Sequence, residues 1–313
     1  NLFDIVPNLR QKFKHKMKNR TSFTFSLCTF PLLSYIIRAA KEKEMSSMYA
    51  DFHMHTSFSS DSEAPMEHMI LSAIHKNVPG ICFTEHMDFD FPPGEFDFFV
   101  DMPSYQQKLM ELREKYKDKI EINFGIELGL QPHLTGKLPS FAASYPFDFV
   151  IGSVHVADGC DPYDRIFFDN RSEEEAYRSY FTCLLENLKV LSCFDVCGHI
   201  DYVVRYGPNR NLYYSYEKYR DILDEILHVL VQKGIGLECN TAGFKYGLGH
   251  PNPTEKILIR YRELGGEILT LGSDAHAPEH IAYDFERAGT LLKECGFQYY
   301  TVFKNRKPEF LPL

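Results

Sequence analysis

Seven short apolar runs, each followed by a longer polar-faced segment, constrain this chain more than any other feature. The runs are YADFHMH (49–55), GICFTEH (80–86), IEINFGIEL (120–128), FDFVIGSVH (147–155), FDVCGHID (194–201), GIGLECNT (234–241) and EILTLGSDAH (267–276). Their β-branched and aromatic content reads as strand. The segments between them read as helices. PMEHMILSAIHKN opens with Pro65 in a first-turn position, and SYQQKLMELREKYKD with Ser104 as N-cap. SEEEAYRSYFTCLLENLKVL places Ser172 ahead of three acids, which suits the helix dipole. SYEKYRDILDEILHVLVQKG stops at Gly234, and PTEKILIRYRELGG at Gly265 and Gly266. Strand-then-helix repetition implies parallel strands joined by crossovers, an α/β fold. Seven such units with no dinucleotide fingerprint favour a closed or nearly closed barrel over a doubly wound sheet. No repeat or long linker follows residue 45, so 45–313 reads as one domain.

Residues 1–44 have a different composition. They hold nine basic and three acidic residues, a charge of +6 against −15 for the remainder. SFTFSLCTFPLLSYIIRAA follows the basic run and resembles a poor signal peptide, its apolar stretch broken by Thr24, Ser26, Thr29, Pro31 and Ser34. Lys41-Glu42 can be encoded by a ribosome-binding sequence a few codons before Met45. The expectation is a non-native, disordered upstream extension, with a native start at Met45 or Met48. A cleaved secretion signal is the alternative.

The strand ends carry the chemistry. His53 and His55 end the first strand, Glu85 and His86 the second, Glu127 the third, and His155 the fourth. His199 and Asp201 end the fifth, Glu238 and Asn240 the sixth, and Asp274 and His276 the seventh. In (β/α) barrels active sites are built at that end. A lone histidine is more often structural than a ligand. His15, His68, His75, His228 and His280 take that reading, as do His133 and His250 in loops. Five strands ending in histidine and two more in acids are harder to explain that way. Imidazole and carboxylate without thiolate suit Zn, Mn or Fe. His53, His55, His86, Glu127, His155, His199, Asp274 and His276 are too many ligands for one ion, so two or three divalent metals are expected. Such clusters activate water and stabilise phosphoryl oxygens.

The ordered set DFHMHT, FTEH, GIELG, GSVH, GHID and GSDAH resembles the polymerase-and-histidinol-phosphatase (PHP) superfamily, over essentially the whole chain after residue 48. HTSFSSDSEAP, TEHMDFDFP and GHIDYVVRYG are most similar to its monofunctional histidinol-phosphatase branch. The resemblance implies a distorted (β/α)7 TIM-like barrel with a trinuclear metal centre. One metal would take His53, His55, Glu127 and Asp274; a second would share Glu127 and add His155 and His199. A third would take His86, His276 and a residue of the loop after the first strand. Some relatives carry a histidine in that loop. Here Asp61 is the candidate, with a turn or helix-capping role as the alternative. The implied activity is that of a metal-dependent phosphoric monoester hydrolase, cleaving L-histidinol phosphate to L-histidinol and phosphate in histidine biosynthesis. A metal-bound hydroxide would attack phosphorus, so Ser57 and Ser153 receive no catalytic role.

A phosphomonoester dianion calls for guanidinium donors. Arg205 follows the fifth strand, and Arg165 lies in the loop after the fourth, where an ion pair with Asp161 or Asp164 is the alternative. Asp88 and Asp90 read as a solvated loop, or as partners for a cationic substrate amine. Another phosphomonoester remains the competing substrate class: a nucleotide, a nucleic-acid end or phosphotyrosine. Nucleic acid is disfavoured by the charge of −15 on 45–313. A non-catalytic metal-binding domain would not need so complete a ligand set. No apolar run spans a membrane. Eight scattered cysteines without a CxxC pair suit reduced thiols and a cytoplasmic location. The pattern points to no particular oligomeric state.

Overall fold

A computed structural model describes residues 49–94 and 96–313. The expectation for residues 1–44 lies outside the described residues. Seven strands run parallel: β1 (Gly80–Phe83), β2 (His86–Met87), β3 (Glu121–Gly129), β4 (Phe149–Ser153), β5 (Val196–Cys197), β6 (Gly236–Asn240) and β7 (Leu269–Gly272). Their order is β1-β3-β4-β5-β6-β7, and β2 continues the line of β1 along the second half of β3. Residues 51–55 complete the ring. Asp51 bridges Ile81 and Met54 bridges Ala275, both in parallel register. The Phe52 N–H donates to the Leu271 carbonyl at 2.9 Å, and the Cys82 N–H to the Asp51 carbonyl at 2.9 Å. The opening strand therefore lies between the first and last strands of the sheet.

Part of the ladder is replaced by a side chain. The buried Asp51 carboxylate accepts the Ser273 N–H at 2.9 Å and the Ala282 N–H at 2.8 Å. An acid at the start of a barrel strand thus pins the loop that follows β7.

The helices are α1 (Met66–His75), α2 (Met102–Tyr116), α3 (Lys137–Ser144), α4 (Glu173–Val190), α5 (Arg220–Lys233), α6 (Ala242–Lys245), α7 (Glu255–Glu263) and α8 (Phe285–Glu294). Ser172 caps α4 in a full capping box with Glu175. Gly234 ends α5 at φ 66°, a conformation open to glycine at little cost. Two starts differ from expectation by a short step. Pro65 is the N-cap of α1, not its first residue. Helix α2 starts at Met102 after Asp101, because Pro103 fits the first turn, and Ser104 instead donates its hydroxyl to the Asp101 carboxylate at 2.5 Å.

The strand pattern does not anticipate the C-terminal hairpin of β8 (Tyr299–Lys304) and β9 (Lys307–Pro312). Its turn residues Asn305 and Arg306 both have positive φ, as a two-residue hairpin turn requires. The hairpin covers the end of the barrel where the strands begin. The Phe303 ring lies 5.0 Å from Phe149, which lies 5.4 Å from Phe52. Thr301 accepts the Leu269 N–H at 3.1 Å, and Arg306 donates to Asp195 at 2.5 Å. All seven described cysteines are free.

Phe303→Ala removes the ring that closes this base. It should lower unfolding free energy by about 3–5 kcal/mol, the usual cost of truncating a buried phenylalanine. Urea denaturation with an unchanged slope would check this.

Candidate metal centre

The strand ends converge on Glu127. Register brings His86 directly opposite it on β2. The Glu127 carboxylate is fully buried, and five imidazoles approach it. Its Oε1 lies 3.1 Å from His199 Nε2 and 3.4 Å from His155 Nε2. Its Oε2 lies 3.1 Å from His86 Nδ1, 3.2 Å from His53 Nε2 and 3.5 Å from His55 Nε2. Asp274 adds a second carboxylate, with Oδ1 3.6–3.8 Å from nitrogens of His53, His55 and His276. Asp274 sits at φ 52°, a left-handed conformation that aspartate tolerates better than most residues. Asp61 returns from the loop after the first strand, its Oδ2 2.9 Å from His276 Nε2 and 3.5 Å from His86 Nε2.

The outer nitrogens show which atoms are free to ligate. His53 Nδ1 is 2.6 Å from Glu238, and His155 Nδ1 is 2.7 Å from Asp88. Facing a carboxylate, each Nδ1 carries the proton, so each neutral ring presents an Nε2 lone pair to the centre. Ser59 donates its hydroxyl to Glu85 at 2.6 Å and so can accept His55 Nδ1–H at 3.3 Å. The lone pairs of His53 and His55 Nε2 then face each other at 3.1 Å. Glu127 Oε2, among three imidazole nitrogens, takes no hydrogen bond. Neutral rings in this tautomer aim lone pairs at one another and at carboxylate oxygens, so either added protons or cations must lie between them. This donor set fits divalent metal ions. Five triads among the described residues hold their ligand atoms within 4.8 Å of one another: His53, His55 and Glu127; His53, His199 and Asp274; Glu127, His155 and His199; His55, His86 and His276; and His86, Asp88 and His155.

Without metal the site is electrostatically divided. Burial opposes protonation of His53, but Glu238 and then Glu127 raise its pKa well above the ordinary value. His155 is likewise opposed by burial, yet Asp88 and Glu127 push it up to about 10. His55 is driven down by burial and by the neighbouring His86 and His276. Asp61 is held far below the carboxylate range: burial opposes ionisation, but His86 and His276 outweigh it.

A cavity of about 440 Å³ opens above the centre. Arg205 forms part of its wall but is almost wholly buried. It donates to Asp274 Oδ2, Asn252 Oδ1 and Asn240 Oδ1, each at 2.9 Å. Three of its five N–H groups are used in this way, and two remain. Arg165, by contrast, is exposed on a short 3₁₀ turn and is not part of the cavity wall. Nor does it pair with Asp161 or Asp164, since no ion pair joins them among the described residues.

Asp88 is not in a solvated loop. It is buried and holds His155. Asp90 is exposed and pairs with His133 at 3.0 Å and Lys137 at 3.6 Å. His280, expected to be structural, lines the cavity. Lys245 also lines it, donating to the Asp274 carbonyl at 3.2 Å. No sequence pattern flags Lys245, because it ends the four-residue helix α6, too short to show a periodicity. Glu238 stands at a strand end like the inner acids, yet it faces outward to His53 and to the His199 N–H at 2.9 Å. A side chain at Gly272 would collide with both Glu238 and His53, so glycine permits that approach.

A metal-free His155 protonated at neutral pH must lose its proton to bind a cation. Adding Zn²⁺ to metal-stripped protein at pH 7.5 should therefore release at least one proton per centre, read with a pH indicator dye. Metal affinity should weaken as pH falls, by about tenfold per unit for each proton displaced.

Comparison with known proteins places this architecture. The PHP domain model matches residues 51–242. A histidinol-phosphatase from Lactococcus lactis is 37% identical over 262 residues, covering 82% of this chain and 95% of that protein. The solved histidinol phosphate phosphatase of Lactococcus lactis, complexed with zinc, L-histidinol and phosphate, superposes with a TM-score of 0.77 at 35% identity. That match covers 83% of this chain and 98% of the other. A solved chain from Listeria monocytogenes, 21% identical with a TM-score of 0.67, shares the fold. It covers 76% of this chain and 99% of its own. With its family motif spanning the first six barrel strands and a close relative matched nearly end to end, the chain belongs to the PHP domain family.

Proposed function

We infer that this chain is a histidinol-phosphatase, hydrolysing L-histidinol phosphate to L-histidinol and inorganic phosphate. The observation that carries it is the Glu127 centre: lone pairs and carboxylates converge below a cavity that also presents Arg205 and Lys245. The similarity to a phosphatase solved with zinc, L-histidinol and phosphate selects the substrate. We assign the metal positions as three: His53, His55, Glu127 and Asp274; Glu127, His155 and His199; and His86, His276 and Asp61. Zinc, manganese and iron all suit these donors. When bound, the ions supply Lewis acidity and acidify water toward neutral pH.

The chain's own residues do the rest. Arg205 holds Asp274 in place with one edge and keeps two N–H groups for phosphoryl oxygens. The Lys245 ammonium adds a second positive charge to the same wall. Phe96, Phe98, Tyr202 and Tyr206 narrow the approach and displace water from it. The serines at the centre are engaged as donors: Ser153 donates to Glu127 at 2.5 Å, and Ser59 to Glu85. Among the described residues no helix is long and apolar enough to cross a membrane. We place the enzyme in the cytoplasm, in histidine biosynthesis, acting on a small molecule and not on nucleic acid.

Metal-replete protein should turn over L-histidinol phosphate with kcat/KM at least about tenfold above p-nitrophenyl phosphate and a nucleoside monophosphate, a difference of about 1.4 kcal/mol in transition-state binding. Equal turnover of all three would overturn the substrate assignment. Asp274→Asn should cost about 10²-fold or more in kcat and lower bound metal, measured by elemental analysis. Arg205→Ala should weaken inhibition by inorganic phosphate. It should also lower metal content, because it releases Asp274.

A further inference from the structure

Three carboxylates line the cavity: Asp61, Asp161 and Asp274. Two have cationic partners. Asp61 faces His276 and His86, and Asp274 accepts from Arg205. Asp161 forms no ion pair with any described residue. Its Oδ1 accepts the Tyr163 backbone N–H at 2.8 Å and the Tyr202 hydroxyl at 3.2 Å. Its Oδ2 takes no hydrogen bond among the described residues. The carboxylate is thus fixed in direction with one oxygen unused.

Four aromatic residues, Phe96, Tyr163, Tyr202 and Tyr206, line the same cavity. Tyr163 packs against Tyr206 at 5.5 Å and Phe96 at 6.5 Å, and Tyr202 against Tyr206 at 5.0 Å. A carboxylate framed by aromatic faces suits an organic ammonium. Arg205 and Lys245 bring charge of the opposite sign to the same cavity. Tyr202 spans the two regions. Its ring lies 5.1 Å from that of His199 and 5.5 Å from the Arg205 guanidinium, while its hydroxyl reaches Asp161. The cavity is therefore bipolar over about the length of one tyrosine side chain.

We propose that Asp161 receives the protonated primary amine of the substrate and sets the preference for cationic phosphomonoesters. This rests on the histidinol-phosphate reading above and deepens it. In L-histidinol phosphate the amine-bearing carbon is bonded to the phosphoester methylene, so one molecule offers both charges at short range. With phosphate toward Arg205 and Lys245, the ammonium supplies the ion-pair partner that Asp161 lacks. The neighbouring rings are left for the imidazole. Neither Asp88, which is spent on His155, nor Asp90, which pairs at the surface, can take this role.

The test compares full-length, metal-replete wild type with Asp161→Asn and Asp161→Glu. Each is assayed for kcat/KM with L-histidinol phosphate, with its amine-free analogue and with p-nitrophenyl phosphate. Wild type should prefer the amine over the amine-free ester by roughly 10- to 100-fold, the range of one charged hydrogen bond. Asp161→Asn should collapse that ratio, mainly through KM, and Asp161→Glu should restore part of it. A ratio unchanged in Asp161→Asn overturns the proposal while leaving the substrate assignment intact. Equal losses on both esters also overturn it, since they mean that Asp161 supports the fold or contacts the imidazole. Wild type showing no preference for L-histidinol phosphate over p-nitrophenyl phosphate removes the substrate assignment and this proposal together.

Discussion

A buried carboxylate ringed by imidazole lone pairs is the condition on which the rest of this structure depends. Glu127 takes hydrogen bonds on one oxygen, from Ser153 and His199, while its other oxygen lies among three imidazole nitrogens without one. Burying such groups costs free energy unless a cation compensates. The centre is thus a stability cost in the metal-free chain, and the opposite end of the barrel offsets it. There Phe52, Phe149 and Phe303 pack into a dry base under the C-terminal hairpin. Chemistry and stability occupy opposite ends of the same strands, as in other (β/α) barrels.

The acids around the centre fall into two groups that composition does not separate. Asp61, Glu127 and Asp274 point inward. Asp88 and Glu238 hold imidazoles from outside, Glu85 holds the loop of Thr56 and Ser59, and Asp51 pins the loop after β7. Exchanging the roles of Glu127 and Glu238 would need no change of residue type, only of position. What assigns the roles is which face of which strand each acid occupies. The outer acids matter for binding because they fix the tautomer, and a histidine in the wrong tautomer presents a proton where a lone pair is required.

Much of the fold was legible in the sequence because hydrophobic runs report strands directly. The seven strands, the capping box of α4 and the glycine stop of α5 are local features. Histidines at strand ends were legible for the same reason: position on a strand follows from the run itself. What stayed hidden depends on long-range packing. Asp88 looked like part of an acidic loop because only the folded chain brings it to His155, 67 residues away. Arg165 and Arg205 were both candidates for the phosphate, Arg205 the stronger, and only Arg205 is walled in by Asn240, Asn252 and Asp274. The C-terminal hairpin escaped because its strands alternate less clearly, and Phe310 stays half exposed.

An excess of negative charge need not repel an anionic substrate. At distances beyond roughly 8 Å, salt screens most of the net charge at physiological ionic strength. What the substrate meets is the local field of the cavity. There Asp274 is offset by Arg205, and Asp61 by His276 and His86, so neither presents a free negative charge to phosphate. Metal ions among the inner donors would turn that field positive. Asp161 then stands out as the cavity carboxylate without an ion-pair partner among the described residues, and Tyr202 connects it to Arg205. A cavity arranged this way discriminates by charge separation within the ligand. A bare phosphate fills only one half of it, whereas a phosphate with a nearby cation fills both.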